Sequence, residues 1–122
     1  MQKDINQVVF TARLTKDPEL RETPSGNSVA TLRVAIGRPD GKDGQDRGAA
    51  FYDVEVWNGL AKRCARYLAK GRRILVSGRL EHQQWEDDKD VSRQRNYVVA
   101  GQVNFLDPAP KDEERQETEA EG

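Results

Sequence analysis

The heptapeptide 51-FYDVEVW-57 alternates with period two. Tyr52, Val54 and Val56 fall on one face of a strand, and Phe51, Asp53, Glu55 and Trp57 fall on the other. The first row predicts an ordinary core face. The second needs a reason, because a row facing water should be polar throughout, whereas this one begins and ends in a large aromatic with two carboxylates between.

Working outward, four more stretches read as strands. Residues 5–14, INQVVFTARL, place Val8, Phe10 and Leu14 in one register and Ile5 and Val9 in the other. Residues 29–36 alternate Ala30, Leu32, Val34 and Ile36 with Thr31, Arg33 and Ala35. Residues 72–85 alternate Ile74, Val76 and Leu80 with Leu75, Ser77, Arg79 and Glu81, and Gly78 in their middle predicts a bulge or sharp bend. Residues 93–106 alternate around Gly101 until Pro108 and Pro110 end the order.

The stretch before the second strand, TKDPELRETPSGNS, reads as loop and turn because Pro18, Pro24 and Ser25-Gly26-Asn27 break regular structure. Residues 37–49 hold four glycines and are long for a hairpin loop, which predicts a mobile or functional segment. Residues 58–71 change period: Leu60, Ala61, Cys64 and Leu68 fall at helical spacing, Asn58 suits the cap and Gly71 suits a left-handed residue after the end. Three strands, a helix and two strands, with glycines at the bends, predict an all-β fold: a five-stranded Greek-key barrel of the OB type with one short α-helix between strands 3 and 4. An open meander or a half-barrel sandwich would satisfy the same periodicity.

The chain has 122 residues, enough for one domain with a real core. Its net charge of -1 conceals an asymmetry. Residues 1–106 hold 18 Lys and Arg against 14 Asp and Glu, or +4, whereas residues 107–122 hold 2 against 7, or -5. The division reads as a folded domain over 1–106 and a short acidic, disordered tail over 107–122, and a basic body points weakly toward a polyanion. No charged start leads into an apolar run and no stretch approaches the roughly 18 apolar residues of a membrane span, so a cytoplasmic protein is expected.

Catalysis finds little support. The single histidine, His82, lies mid-strand without a nucleophile pattern beside it, and with the single cysteine, Cys64, it cannot build a zinc site. The acidic run EDDKD at 86–90 lacks the ligand spacing of a calcium loop and reads as a solvated hairpin tip. GRPDGKDG lacks the lysine–hydroxyl pair and following helix of a phosphate loop. No cofactor or metal is assigned.

Aromatic and basic residues are more telling. Phe51 and Trp57 share the face opposite the core register, and Trp85 ends the fourth strand, so three flat side chains can line one outer surface on which bases stack. Burial under a second copy or a covering loop is the competing reading. Arg13, Arg33, Lys62, Lys70, Arg72, Arg73 and Arg79 occur around the same strands and helix, where they can follow a phosphate backbone.

Three stretches carry a resemblance: INQVVFTARLTKDPELRETPSGNSVATLRVA, FYDVEVWNGLAKRCARYLAKGRRILVSGRLEHQQWED and the closing YVVAGQVNFL. Across residues 5 to 106 the chain resembles the bacterial single-stranded DNA-binding protein family. Asp17-Pro18-Glu19 with Arg21, the Pro24–Gly26 turn, and YLAKGRRILVSGRL leading to a tryptophan are its most specific pieces. The resemblance implies an OB-fold, a homotetramer, and binding of single-stranded DNA without sequence preference in replication, recombination and repair. It places Phe51, Trp57 and Trp85 on base-stacking positions, puts Arg13, Arg21, Lys62, Lys70 and Arg72 near the DNA path, and makes Tyr52 core or subunit interface.

The chain departs from the family pattern in three places. GRPDG stands where a further aromatic often ends strand two, and Glu81 and Gln83 stand where basic residues are common. The family tail usually ends in an acidic tip with a hydrophobic pair that docks replication and repair proteins; here ETEAEG keeps the acidity without the pair. An accessory protein-interaction module using the same aromatics, and a binder of single-stranded RNA, are the alternative functions.

Overall fold

The computed structural model describes residues 1–107; the acidic run beyond them lies outside. The elements are β1 (Val8–Leu14), β2 (Glu19–Glu22), β3 (Ser28–Gly37), β4 (Ala49–Trp57), α1 (Asn58–Tyr67), β5 (Arg73–Glu86) and β6 (Ser92–Phe105). The strands form one sheet in the order β1-β5-β6-β4-β3-β2, and an additional pairing of β1 with β3 closes it. β1, β3, β4, β6 and β5 therefore close into a ring, with β2 appended to the outer edge of β3. Every pairing is antiparallel except β4 with β6. This is the OB-type barrel that the strand order predicts.

Alternation fills the interior. Ala12 and Leu14, then Ala30, Leu32 and Val34, Val54 and Val56, Ile74 and Val76, and Val98 and Ala100 are all buried, drawn from the five ring strands. The helix lays Ala61 and Cys64 against this core. Burial pushes the Cys64 thiol up to about 12, so it behaves as a small apolar group.

Four local expectations are corrected. The stretch read as loop contains β2, an edge strand in which every residue is exposed; its pairing from Glu19↔Thr31 to Glu22↔Ser28 leaves no trace in hydrophobic pattern. The helix is shorter than 58–71 and ends at Tyr67 with Leu68 extended. Asn58 does not cap it: its positive φ of 54° turns the side chain away, and its Oδ1 accepts the Ser28 N–H at 3.2 Å instead. Tyr52 and Leu80 keep the core register, paired with the buried Val34 and Val98, yet are 43% and 51% exposed.

The predicted bend at Gly78 is real and has a partner. Ser77 pairs with Gln102 and Gly78 with Ala100, so Gly101 is the extra residue of a bulge. A Cβ on Gly78 would collide with the Val99 carbonyl and lie 2.8 Å from Ala100 Cα. Close backbone approach, not a special φ, requires glycine here. Past the bulge β5 and β6 continue as a long hairpin from Arg79↔Val99 to Glu86↔Ser92.

Candidate nucleic-acid interface

Pairing register decides which side chains share a face, because directly paired residues point the same way. On β4 the outer row is Phe51, Asp53, Glu55 and Trp57, and its partners on β3 are Ala35, Arg33, Thr31 and Val29. Beyond them on β2 stands Arg21, paired with Val29, and its Nη1 donates to Thr31 Oγ1 at 3.1 Å. On the other side, the parallel rung Glu55↔Val99 sets Val99, Tyr97, Arg95 and Arg93 of β6 on the same face. Their β5 partners are Arg79, Glu81, Gln83 and Trp85. One outer surface thus runs from β2 across β3, β4 and β6 to β5.

Phe51, Trp57 and Trp85 are 54%, 39% and 42% exposed on it. Trp57 stands where β4 meets α1, and Trp85 stands near the hairpin tip opposite Arg93. Phe51 lies toward the hairpin end of β4, because β4 and β6 run parallel.

The basic residues separate into groups. Arg21, Arg33 and Arg79 lie on the aromatic face, and Arg13 shares the rung of Ala35 and Phe51. The Arg13 Nη1 donates to Gly71 O at 2.7 Å, which ties it to the link where Lys70 and Arg72 stand. The Lys70 backbone N–H in turn donates to Asp17 Oδ1 at 2.8 Å. Arg73 pairs with Arg13 across β5 and β1. Lys62 is exposed on α1, which follows directly after Trp57.

Ion pairs temper this charge. Arg33 Nη1 meets Asp53 Oδ1 at 3.2 Å, with its guanidinium carbon 5.8 Å from the Phe51 ring centre. Arg79 Nε donates to Glu81 Oε1 at 2.6 Å. Arg95 reaches Asp53 and Glu55 at 3.5 and 2.8 Å. Glu55, expected in the solvent-facing row, is buried to 6% exposure under that arginine.

Sequence reasoning passed over Arg95 and Tyr97, although their period-two placement in RQRNY put them in one register. At the hairpin tip the Asp87 carboxylate accepts the Lys89 and Val91 N–H groups and pairs with Arg93 at 3.0 Å. Those bonds hold its pKa below the usual carboxylate value and make EDDKD a turn.

An OB-type barrel whose outer sheet face carries exposed aromatics among arginines defines a class of nucleic-acid-binding β-barrels. The chain belongs to the Single-strand binding protein family, which it matches over residues 5–106. It is 41% identical over 104 residues to the single-stranded DNA-binding protein of Clostridium tetani, covering 84% of this chain and 71% of that one. The single-stranded DNA-binding protein of Helicobacter hepaticus is 35% identical over 113 residues, 89% of this chain and 65% of that one. Single-stranded DNA-binding protein 2 of Listeria monocytogenes is 39% identical over 104 residues, 85% and 65%. The chain spans about two thirds of the length of the curated relatives it matches.

Proposed function

We propose that this chain binds single-stranded DNA without sequence preference, as a binder and not a catalyst, in replication, recombination and repair. The observation that carries the reading is the register that puts Phe51, Trp57 and Trp85, all exposed, on one face across β4, β6 and β5. Unpaired bases stack on these rings, while Arg13, Arg21, Arg33, Lys62, Lys70, Arg72 and Arg79 follow the phosphates and release counterions. A duplex hides its base faces and gains nothing from the rings. The names of the relatives support the same ligand.

The chain works as a homo-oligomer, a tetramer by family resemblance, at the bacterial nucleoid. Support for self-association comes from Val9, Tyr52 and Leu80, which are exposed around a recess of about 430 Å³ that Val8, Phe10, Ile36 and Val98 also line. Sedimentation across a concentration series checks this part, and a monomer throughout would overturn it.

The deciding experiment is a titration of tryptophan fluorescence with oligo-thymidine, with duplex of equal length and with oligo-uridine, at several salt concentrations. Quenching by oligo-thymidine alone is expected, weakening with a log-log slope of about -0.7 per neutralised phosphate. Equal or tighter binding of oligo-uridine would assign the face to RNA, and no quenching by any strand would assign it to protein contact.

A further inference from the structure

Arg95 occupies an unusual position on this face. It stands on β6 between the β4 aromatics and Trp85. Each of its three guanidinium nitrogens meets a protein acceptor: Nε donates to Gln83 Oε1 at 2.9 Å, Nη2 to Glu55 Oε1 at 2.8 Å, and Nη1 lies 3.5 Å from Asp53 Oδ2. The guanidinium carbon sits 4.3 Å from the centre of the Tyr97 ring. Even so, 31% of the side chain is exposed, against 7% for Glu55 beneath it.

A guanidinium grips phosphate through its in-plane N–H groups. In Arg95 two of the five N–H groups are bonded to Gln83 and Glu55 and Nη1 lies toward Asp53, so swinging it toward a phosphate would leave Glu55 as a buried charge without a partner. Tyr97 covers one flat side of the guanidinium, and the side chain keeps 31% of its surface exposed. Nucleobases stack on guanidinium planes as they do on aromatic rings.

We propose that Arg95 is a base-stacking platform, a guanidinium layer backed by Tyr97 and fixed in plane by Asp53, Glu55 and Gln83, which carries an unpaired nucleobase between Phe51 and Trp85. This rests on the single-strand reading above. It gives the two carboxylates of the face a purpose: they hold the arginine flat and keep it from the phosphates.

The test compares the full chain with its Arg95→Lys variant on oligo-thymidine and on an abasic strand of the same length. Lysine keeps the charge for Glu55 and loses the plane. The variant is expected to bind oligo-thymidine about five- to tenfold more weakly, with an unchanged salt slope and unchanged affinity for the abasic strand. Glu55→Gln loosens the in-plane hold, and the freed guanidinium is expected to steepen the parent's slope by about 0.7. Should Arg95→Lys fail to fold, Tyr97→Leu removes the backing ring, leaves the ion pairs, and carries the same expectation.

Parental affinity of Arg95→Lys for oligo-thymidine overturns the proposal, as does an equal loss on the abasic strand, which would make Arg95 a phosphate anchor. Failure of the parent chain to bind oligo-thymidine at all is a separate outcome and overturns the functional reading beneath it.

Discussion

Trp57 shows how much one exposed ring contributes. It belongs to no buried cluster, so Trp57→Ala is expected to leave thermal stability near its parental value while weakening oligo-thymidine binding by about 1–3 kcal/mol. Paired thermal melts and fluorescence anisotropy titrations check both halves; a large loss of stability would mean that the ring is structural. The shared exposed face of Phe51 and Trp57 was legible in the sequence because two aromatics in a solvent-facing row contradict burial logic. Glu55 and Arg95 were not legible, because their pairing spans 40 positions of chain and exists through the β4–β6 rung. A local pattern reports which face a residue takes, but not what a distant strand brings to cover it.

At the scale of elements, the five ring strands and the helix were readable because each buries an alternating or helical row. β2 escaped because it buries nothing, and neither proline nor polarity distinguishes such an edge strand from a loop. The β5–β6 hairpin carries two predictions. Gly78→Ala is expected to destabilise the fold by about 2–4 kcal/mol in urea unfolding, because the added methyl must push the Val99–Ala100 backbone out of the bulge. A variant as stable as the parent would show that the bulge yields freely. At the tip, Asp87 is held below its ordinary value chiefly by the Val91 and Lys89 N–H groups, then by Arg93. Its folded pKa lies below the unfolded one, so its contribution is present above the usual carboxylate range and is lost as pH falls through the folded value. Amide resonances of Lys89 and Val91 are expected to move together on acidification below about pH 4, and Asp87→Asn is expected to abolish that step.

Over the whole molecule, the charge division sets a balance between body and tail. We propose that the +4 of residues 1–106 and the -5 of residues 107–122 attract through a screened interaction. Removing residues 108–122 is expected to tighten oligo-thymidine binding most below about 50 mM salt and to have little effect at high salt. Unchanged low-salt affinity in a titration of the shortened chain would dismiss the competition.

The ring itself closes unevenly. β1 pairs with β5 from Val8↔Gly78 to Arg13↔Arg73, but meets β3 through Arg13↔Ala35 and Leu14↔Val34, with the Thr15 N–H reaching Arg33 O just beyond. Like β4 with β6, β1 and β3 share two rungs, so the barrel can come undone at this clasp while β1 keeps β5 and β3 keeps β4. Solvent deuterium should therefore enter at the Thr15 amide well before it enters the β5–β6 ladder. Arg33, the residue at that clasp, is also paired with Asp53 and lies beside Phe51 on the outer face. One residue thus joins the clasp, through its carbonyl, to the outer face, through its guanidinium.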